Sequence, residues 1–179
     1  VADGIYRDQA QRLGKTYPMS FADNALQFRS GNPKPCGTPD DIVAHGKKFY
    51  DELSPETSLF FRTMIDMELM DLLSTEGKAG GGYCTGIMDY KVPFIFANFN
   101  GTQHDVEVVT HEAGHALASF TACKEVKHFA LQNACAESAE THSMSMEFLT
   151  TPWHHLFFGE DTAKYQESHT KGASFFIPY

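Results

Sequence analysis

The residues best suited to chemistry are two histidines, His111 and His115, with Glu112 directly after the first of them. Side chains four positions apart lie on the same side of a helix, so two imidazoles at this spacing can bind one metal ion. A glutamate beside the first histidine can then accept a proton from a water that the metal activates. The alternative is a pair of hydrogen-bonded core histidines, which gives the acid between them no role. The pattern therefore favours a catalytic zinc site.

A catalytic zinc ion takes three protein ligands and leaves its fourth position to water, so the chain must supply one more ligand. A third histidine six residues after His115 is excluded, because Thr121 occupies that position. An aspartate from the next helix is also excluded, since the first aspartate after His115 is Asp161. The remaining type of ligand is a glutamate on a following helix.

Residues 134–149 form that predicted helix, and its carboxylates are Glu137, Glu140 and Glu147. Glu140 and Glu147 are seven residues apart and share one helix face, while Glu137 lies one turn earlier on a nearby face. Helix geometry alone therefore leaves both Glu137 and Glu140 open as ligands. Small and apolar neighbours along this segment predict a buried helix, in which an acid needs a metal or a cation as its partner. The other interpretation is that all three are solvated surface acids.

The helix that carries the two histidines is predicted over residues 103–120, and its apolar positions indicate that it is largely buried. Thr102 is predicted to cap the first turn, with Asp105 as the reciprocal acceptor three residues later. Gly101 ends the strand that precedes the helix. We therefore expect the two histidines to lie well inside a buried helix.

Two short strands precede this helix, over residues 81–88 and 93–99, and are joined around residues 89–91. We predict a hairpin beside the metal helix, whose free edge could pair with the extended backbone of a peptide. Gly81 and Gly82 carry no side chains that would block such a peptide, and we expect them to contact substrate. Such glycines are also typical of flexible turns.

The rest of the chain before the hairpin is predicted to be mostly helical. Helices are expected over residues 5–13, 38–53 and 54–73, with a loop rich in proline and glycine over residues 30–39. The predicted fold class is therefore mainly α, with a small antiparallel β-hairpin or sheet beside the metal helix.

Four segments, in this order along the chain, resemble the oligoendopeptidase F and thimet oligopeptidase family of zinc metallopeptidases. They are residues 78–84, 93–102, 111–116 and 139–148. In that family the third zinc ligand is the first glutamate of a Glu-x-x-Ser-x-x-x-Glu pattern, and in this chain Glu140 has Ser143 and Glu147 at those offsets. The resemblance thus implies Glu140 as the ligand. It also implies a zincin-like catalytic core that is part of a larger helical peptidase fold.

The same resemblance implies a function. One Zn²⁺ ion per chain would be held by His111, His115 and Glu140. Glu112 would act as the general base in the hydrolysis of peptide bonds in short oligopeptides. Glu147 lies two turns after Glu140 on the same face, and we expect its carboxylate to orient one of the ligand histidines.

The resemblance covers roughly residues 13–179, whereas members of the family are several hundred residues long. We therefore expect residues 1–179 to form a single partial catalytic domain, with N- and C-terminal parts of the family fold outside it. Groups that donate hydrogen bonds to the transition state would then lie beyond residue 179. The alternative is a non-catalytic or incomplete zinc-binding fragment that needs missing segments or a partner chain for activity.

Composition and charge argue against several classes of partner. The chain has 23 acidic and 14 basic residues, a net charge of −9 and no run of Lys or Arg that could follow a phosphate backbone, which excludes nucleic acid as an expected partner. No apolar stretch approaches the roughly 18 residues needed to span a bilayer. The four cysteines lack Cys-x-x-Cys spacing and no signal segment precedes the first helix, so we predict reduced thiols and a cytoplasmic location. The oligomeric state is left open.

The other histidines are expected to have ordinary surface or core roles. His142 lies two residues after Glu140, an offset that points it well around the helix from the ligand face. The remaining ones are His45, His104, His128, His154, His155 and His169.

Overall fold

The structure is a computed structural model that describes residues 2–176 of the chain. Its helices and strands, in chain order, are α1 (Ala2–Leu13), α2 (Pro39–Leu53), α3 (Pro55–Asp66), β1 (Met70–Leu73), β2 (Tyr83–Ile87), β3 (Val92–Phe99), α4 (His104–Glu125), α5 (Ala136–Leu149), α6 (His154–Phe158) and α7 (Thr162–Phe176). This mainly helical architecture with a small sheet confirms the predicted fold class. Within the described residues, no helix is both long and apolar enough to cross a membrane.

The sheet has three strands in the order β1-β3-β2. β2 and β3 are antiparallel, with Tyr83 opposite Phe96 and Ile87 opposite Val92, which confirms the predicted hairpin. β1 pairs with the other side of β3 in parallel. The sheet is therefore mixed rather than purely antiparallel, and β2 forms one of its edges.

The prediction of one helix over residues 54–73 is wrong at its C-terminal end, where the chain forms β1 instead. Glu68 adopts a left-handed conformation with φ of 53°, which turns the chain between α3 and β1. The Leu69 carbonyl then accepts a hydrogen bond of 3.0 Å from the Ile95 N–H and starts the parallel pairing. A short apolar segment fits the period of a helix as well as that of a strand, so the tertiary pairing with β3 determines the result.

The core lies between the α2–α3 pair and a layer formed by β3 and α4. Its centre is aromatic: Tyr50 stacks on Phe61 with ring centroids 4.4 Å apart, and Phe60 packs on Phe120 of α4 at 5.6 Å. The buried Tyr50 hydroxyl donates a hydrogen bond of 3.1 Å to the Val109 carbonyl in α4. Because Val109 lies two residues before His111, this contact fixes the part of α4 that carries the predicted ligands.

The start of α4 differs from the prediction that Thr102 caps it. The Thr102 hydroxyl donates to the Asn100 side chain and makes no cap of the helix. Instead the buried Asp105 carboxylate accepts the N–H groups of Asn100 and Gly101 at 3.0 and 2.8 Å. A carboxylate in the first turn, where the helix dipole is positive, thus holds the turn that leaves β3. The helix also continues past the predicted end, to Glu125.

α5 packs on α4 through one narrow face, so the prediction of a buried helix is wrong for this segment. Its buried residues among those described are Ser143 and Met146, while Phe148 and Leu149 are exposed. The packing face is set by Gly114 of α4, where an added Cβ would lie 2.6 Å from the Ser143 Cα. Glycine at this position lets the two helices cross in close contact, and the opposite face of α5 stays open.

Candidate metal centre and catalytic site

The crossing of α4 and α5 brings His111, His115 and Glu140 together. The Nε2 atom of His111 lies 3.3 Å from Glu140 Oε2, and that of His115 lies 3.7 Å from Glu140 Oε1. One ligand atom from each residue falls within 4.8 Å of the other two. Zinc bonds to nitrogen and oxygen of about 2.0–2.1 Å in a tetrahedron place ligand atoms roughly 3.4 Å apart. The spacing and chemistry of this donor set therefore fit a single zinc ion.

Glu140 is held by its own helix. The Ser143 hydroxyl lies 3.0 Å from both the carbonyl oxygen and the Oε2 atom of Glu140, so its single O–H is shared between two acceptors of that residue. Ser143 is buried against Gly114 of α4, which ties the glutamate to the helix that carries the histidines. Glu137, the other glutamate that helix geometry left open, is exposed and outside this group. The structure thus brings Glu140, and not Glu137, to the two histidines.

Glu147 lies behind the donor set. Its Oε1 atom is 2.5 Å from Nδ1 of His111, and its side chain is 15% exposed. This contact turns the Nε2 atom of His111 toward Glu140 and raises the pKa of His111. Burial alone would raise the pKa of the Glu147 carboxyl, but hydrogen bonds from His111 and His169 outweigh it and lower the pKa to about 2. An ionised carboxylate that accepts a ligand histidine's second ring N–H is the usual support of a metal site.

Glu112 is half-buried next to the two histidines on α4. Burial raises its pKa above the ordinary value for a glutamate. Burial and the charge of Glu112 together raise the pKa of the neighbouring Cys84 thiol to about 12. Cys84 therefore stays protonated near neutral pH and is unsuited to act as a nucleophile, whereas Glu112 provides a carboxylate beside the metal ligands.

Two cavities flank the donor set. One, of about 570 Å³, contains His111, Glu140 and residues of α1 and α7 in its wall. The other, of about 690 Å³, lies between His115 and β2 and is lined there by Cys84, Thr85 and Gly86. Gly81 and Gly82, the predicted substrate contacts, lie just before this part of β2, and the Gly81 carbonyl accepts a hydrogen bond from Asn98. One wall of the cavity next to His115 is thus formed by the edge strand.

Sequence reasoning missed His169. Its Nε2 atom lies 2.7 Å from Glu147 Oε2, the second oxygen of the same carboxylate that contacts His111. No spacing rule connects His169 to the other residues, because it belongs to α7 and meets α5 only through the tertiary fold. His142, by contrast, lines the cavity next to His115 and is not part of the donor set.

Two histidines on one helix and a glutamate on the next, beside a small sheet with a free edge, are typical of metal-dependent peptidases. A family model described as Peptidase family M3 matches residues 56–173. The chain therefore belongs to peptidase family M3.

Solved structures agree with this assignment. Two structures provisionally identified as oligoendopeptidase F, one of them from Bacillus anthracis, are each 48% identical to this chain and superpose with a TM-score of 0.94. PZ peptidase A, solved with an inhibitor, is also 48% identical and gives a TM-score of 0.93. All three cover 99% of this chain, which spans only 31–32% of their length. Comparison with curated protein sequences gives no match.

Proposed function

We propose that this chain is the catalytic-core portion of a zinc-dependent endopeptidase that hydrolyses peptide bonds in short oligopeptides. The observation that carries the proposal is the convergence of His111, His115 and Glu140 from two helices onto one point of zinc-compatible size. Membership of peptidase family M3 supports the type of reaction, and the oligoendopeptidase F description of two similar structures supports the type of substrate. Residues 1–179 would then be a single partial catalytic domain.

His111, His115 and Glu140 would hold the zinc ion, with Glu147 keeping the His111 ring in place. When bound, zinc polarises a carbonyl and lowers the pKa of its bound water to about 7. The Glu112 carboxylate would accept the proton of the attacking water and then donate it to the nitrogen of the leaving amine. Glu112 lies one residue from His111, which puts its carboxylate beside the metal position without making it a ligand.

The edge strand β2 would bind the substrate. Its outer side has no strand partner among the described residues, and it forms one wall of the cavity next to His115. A peptide that adds to this edge would be held by main-chain hydrogen bonds, which are the same for any sequence and suit an enzyme of broad specificity. We keep Gly81 and Gly82, which lie just before this strand, as proposed substrate contacts.

Two observations favour a second candidate, an incomplete zinc-binding fragment that needs further segments or a partner chain for activity. The chain spans about a third of the length of its solved relatives, and the Glu140 side chain is 53% exposed. Both candidates predict zinc binding, but they differ in turnover. A cytoplasmic location stays a prediction of the sequence.

Metal analysis combined with peptide turnover tests the proposal. We expect the purified chain to bind about one zinc ion and to cleave internally quenched peptides of about ten residues, with loss of both zinc and turnover on chelation. Glu112→Gln serves as the control, since it should keep zinc without turnover. Stoichiometric zinc without any peptide cleavage would favour the incomplete fragment. Absence of zinc binding would overturn both candidates.

A further inference from the structure

His169 of α7 completes a chain of contacts that runs through three helices. Its Nε2 atom lies 2.7 Å from Glu147 Oε2 in α5, and Glu147 Oε1 lies 2.5 Å from His111 Nδ1 in α4. The His169 side chain is 10% exposed, which makes it the most buried member of the three. One carboxylate thus connects a proposed zinc ligand to a histidine that has no place in the donor set.

The orientation of the His169 ring is set by packing rather than by the carboxylate alone. Tyr165, one turn earlier on α7, stacks on it at 5.6 Å with an interplanar angle of 22°. Phe148 of α5 lies against the ring at 4.9 Å. Tyr165 is itself buried and stacked on Phe158 at 3.9 Å, so this column of rings is anchored in the core. The Nε2 atom of His169 is therefore aimed at Glu147 by surroundings that do not depend on a metal.

The donors and acceptors in this series of contacts follow from the chemistry of the groups. An ionised carboxylate only accepts, so a ring nitrogen next to each oxygen must carry a hydrogen. His169 then donates from Nε2 and His111 donates from Nδ1. A neutral His111 with its hydrogen on Nδ1 has its lone pair on Nε2, the atom that faces Glu140 and His115. Of the two neutral tautomers of His111, the one that can bind a metal through Nε2 is the one that a correctly placed Glu147 selects.

We propose that His169 is a positioning residue for the zinc ligand His111 and acts through Glu147. The donor at Nε2 fixes one carboxylate oxygen, which leaves the other oxygen free to hold His111 alone. This inference rests on the proposed zinc site. A merely structural histidine would stabilise the packing of α7 on α5 without affecting metal affinity.

A pair of variants separates these roles. His169→Gln keeps an amide N–H close to the position of Nε2, whereas His169→Asn is too short to bring one there. We expect His169→Asn to weaken zinc affinity by roughly 10- to 100-fold, and His169→Gln to stay within a factor of about three of the unmodified chain. Zinc affinity is measured by competition with a chelator, and the stability of the metal-free chain is measured by urea unfolding. His128→Gln, an exposed site, is the control and should change neither.

The route through Glu147 is tested with a double variant. Glu147→Gln should weaken zinc affinity by roughly 10- to 100-fold on its own. If His169 acts through this carboxylate, adding His169→Asn to Glu147→Gln should cost little more, so the two effects are not additive.

Three results would overturn the inference: unchanged zinc affinity in His169→Asn, equal losses in the Asn and Gln variants, or additive effects in the double variant. If the urea experiment shows that His169→Asn does not fold, the zinc affinity of His169→Gln is the test. A loss of more than about tenfold in that folded variant then contradicts the proposal. Failure of the unmodified chain to bind zinc would instead contradict the proposed function, so the two failures are distinguishable.

Discussion

Gly114 of α4 lies so close to Ser143 of α5 that a Cβ on the glycine would be 2.6 Å from the Ser143 Cα and 2.9 Å from the His142 carbonyl oxygen. Both neighbours are backbone atoms, which cannot move aside as the end of a flexible side chain can. The spacing of the two helices that supply the donor set therefore depends on the absence of a side chain at Gly114. Glu140, one turn before Ser143, reaches the histidines only while that spacing holds.

Gly114→Ala should separate the helices and weaken the metal site. Overpacking of this kind costs about 1–3 kcal/mol in the free energy of unfolding, and displacement of Glu140 should reduce zinc affinity as well. Urea unfolding and chelator competition measure the two effects. Gly4→Ala, in a helix with open space around the new methyl group, is the matched control and should stabilise by roughly 0.4–1 kcal/mol. Wild-type zinc affinity in Gly114→Ala would show that the close crossing does not set the geometry of the site.

Removal of Glu140 should abolish tight zinc binding, and removal of Glu137 should not. Glu140→Ala takes one of three ligands from the donor set, whereas Glu137 is an exposed glutamate on the same helix and serves as the matched control. Zinc content per chain after dialysis is the measurement. Loss of zinc in Glu137→Ala with full zinc content in Glu140→Ala would show that Glu137, and not Glu140, is the ligand.

Glu112→Gln should separate catalysis from metal binding. The amide cannot accept the proton of the attacking water, so peptide turnover should fall by more than the 10²- to 10⁴-fold that is typical of losing a general base, because the same carboxylate also returns the proton. Zinc content should be unchanged in the same samples. Glu125→Gln, at the exposed end of α4, should keep both. Near-normal turnover in Glu112→Gln would remove the proposed role of this residue.

His154 should make the protein sensitive to acid. It is 2% exposed, its Nδ1 atom has no hydrogen-bond partner among the described residues, and its ring packs on Tyr165 at 4.8 Å and near His169 at 6.1 Å. Burial, assisted by the charge of His169, lowers the pKa of His154 to about 4. Unfolding exposes the ring and returns its pKa to about 6.5, so below that pH the unfolded chain takes up a proton that the folded chain refuses.

The contribution of His154 is therefore complete above pH 6.5 and is lost as the pH falls toward 4, by up to about 3 kcal/mol in total. Urea unfolding of the metal-free protein across this range should show a flatter pH dependence for His154→Phe than for the unmodified chain. His155→Phe changes the exposed neighbour and should keep the original slope. Identical slopes for all three proteins would mean that the pKa of His154 is the same in the folded and the unfolded chain.

The arrangement of the site residues within one helix could be predicted from the sequence. The contacts between helices could be predicted only to a limited extent. The spacing of His111 and His115 is a helical rule, so their common direction follows from the sequence alone. Only the family resemblance distinguishes Glu140 from Glu137, because both occupy nearby helix faces. Its distance to the histidines depends on Gly114, whose close contact with another helix leaves no periodic signal.

The sequence predictions that differ from the structure have physical causes as well. The β1 segment is short and apolar apart from Asp71, and only its pairing with β3 makes it a strand. Thr102 has the right residue type for a cap, but its hydroxyl donates to the Asn100 side chain, while the Asp105 carboxylate accepts the N–H groups of Asn100 and Gly101. The sequence predicts an ordinary role for His169, because a histidine 22 residues from Glu147 has no local pattern that links the two.

The narrow contact of α5 with α4 also affects how readily α5 unfolds locally. A helix held along one face opens more readily than the core, and its amide protons exchange with solvent through that opening. Zinc shared between two ligands on α4 and one on α5 would oppose the opening by about 2.7 kcal/mol at a free zinc concentration a hundred times the dissociation constant. Exchange of the α5 amides should then slow by roughly a hundredfold on zinc addition, while amides of α2, which carries no ligand, keep their rates. The ion would thus govern local unfolding of one helix in addition to its role at the peptide bond.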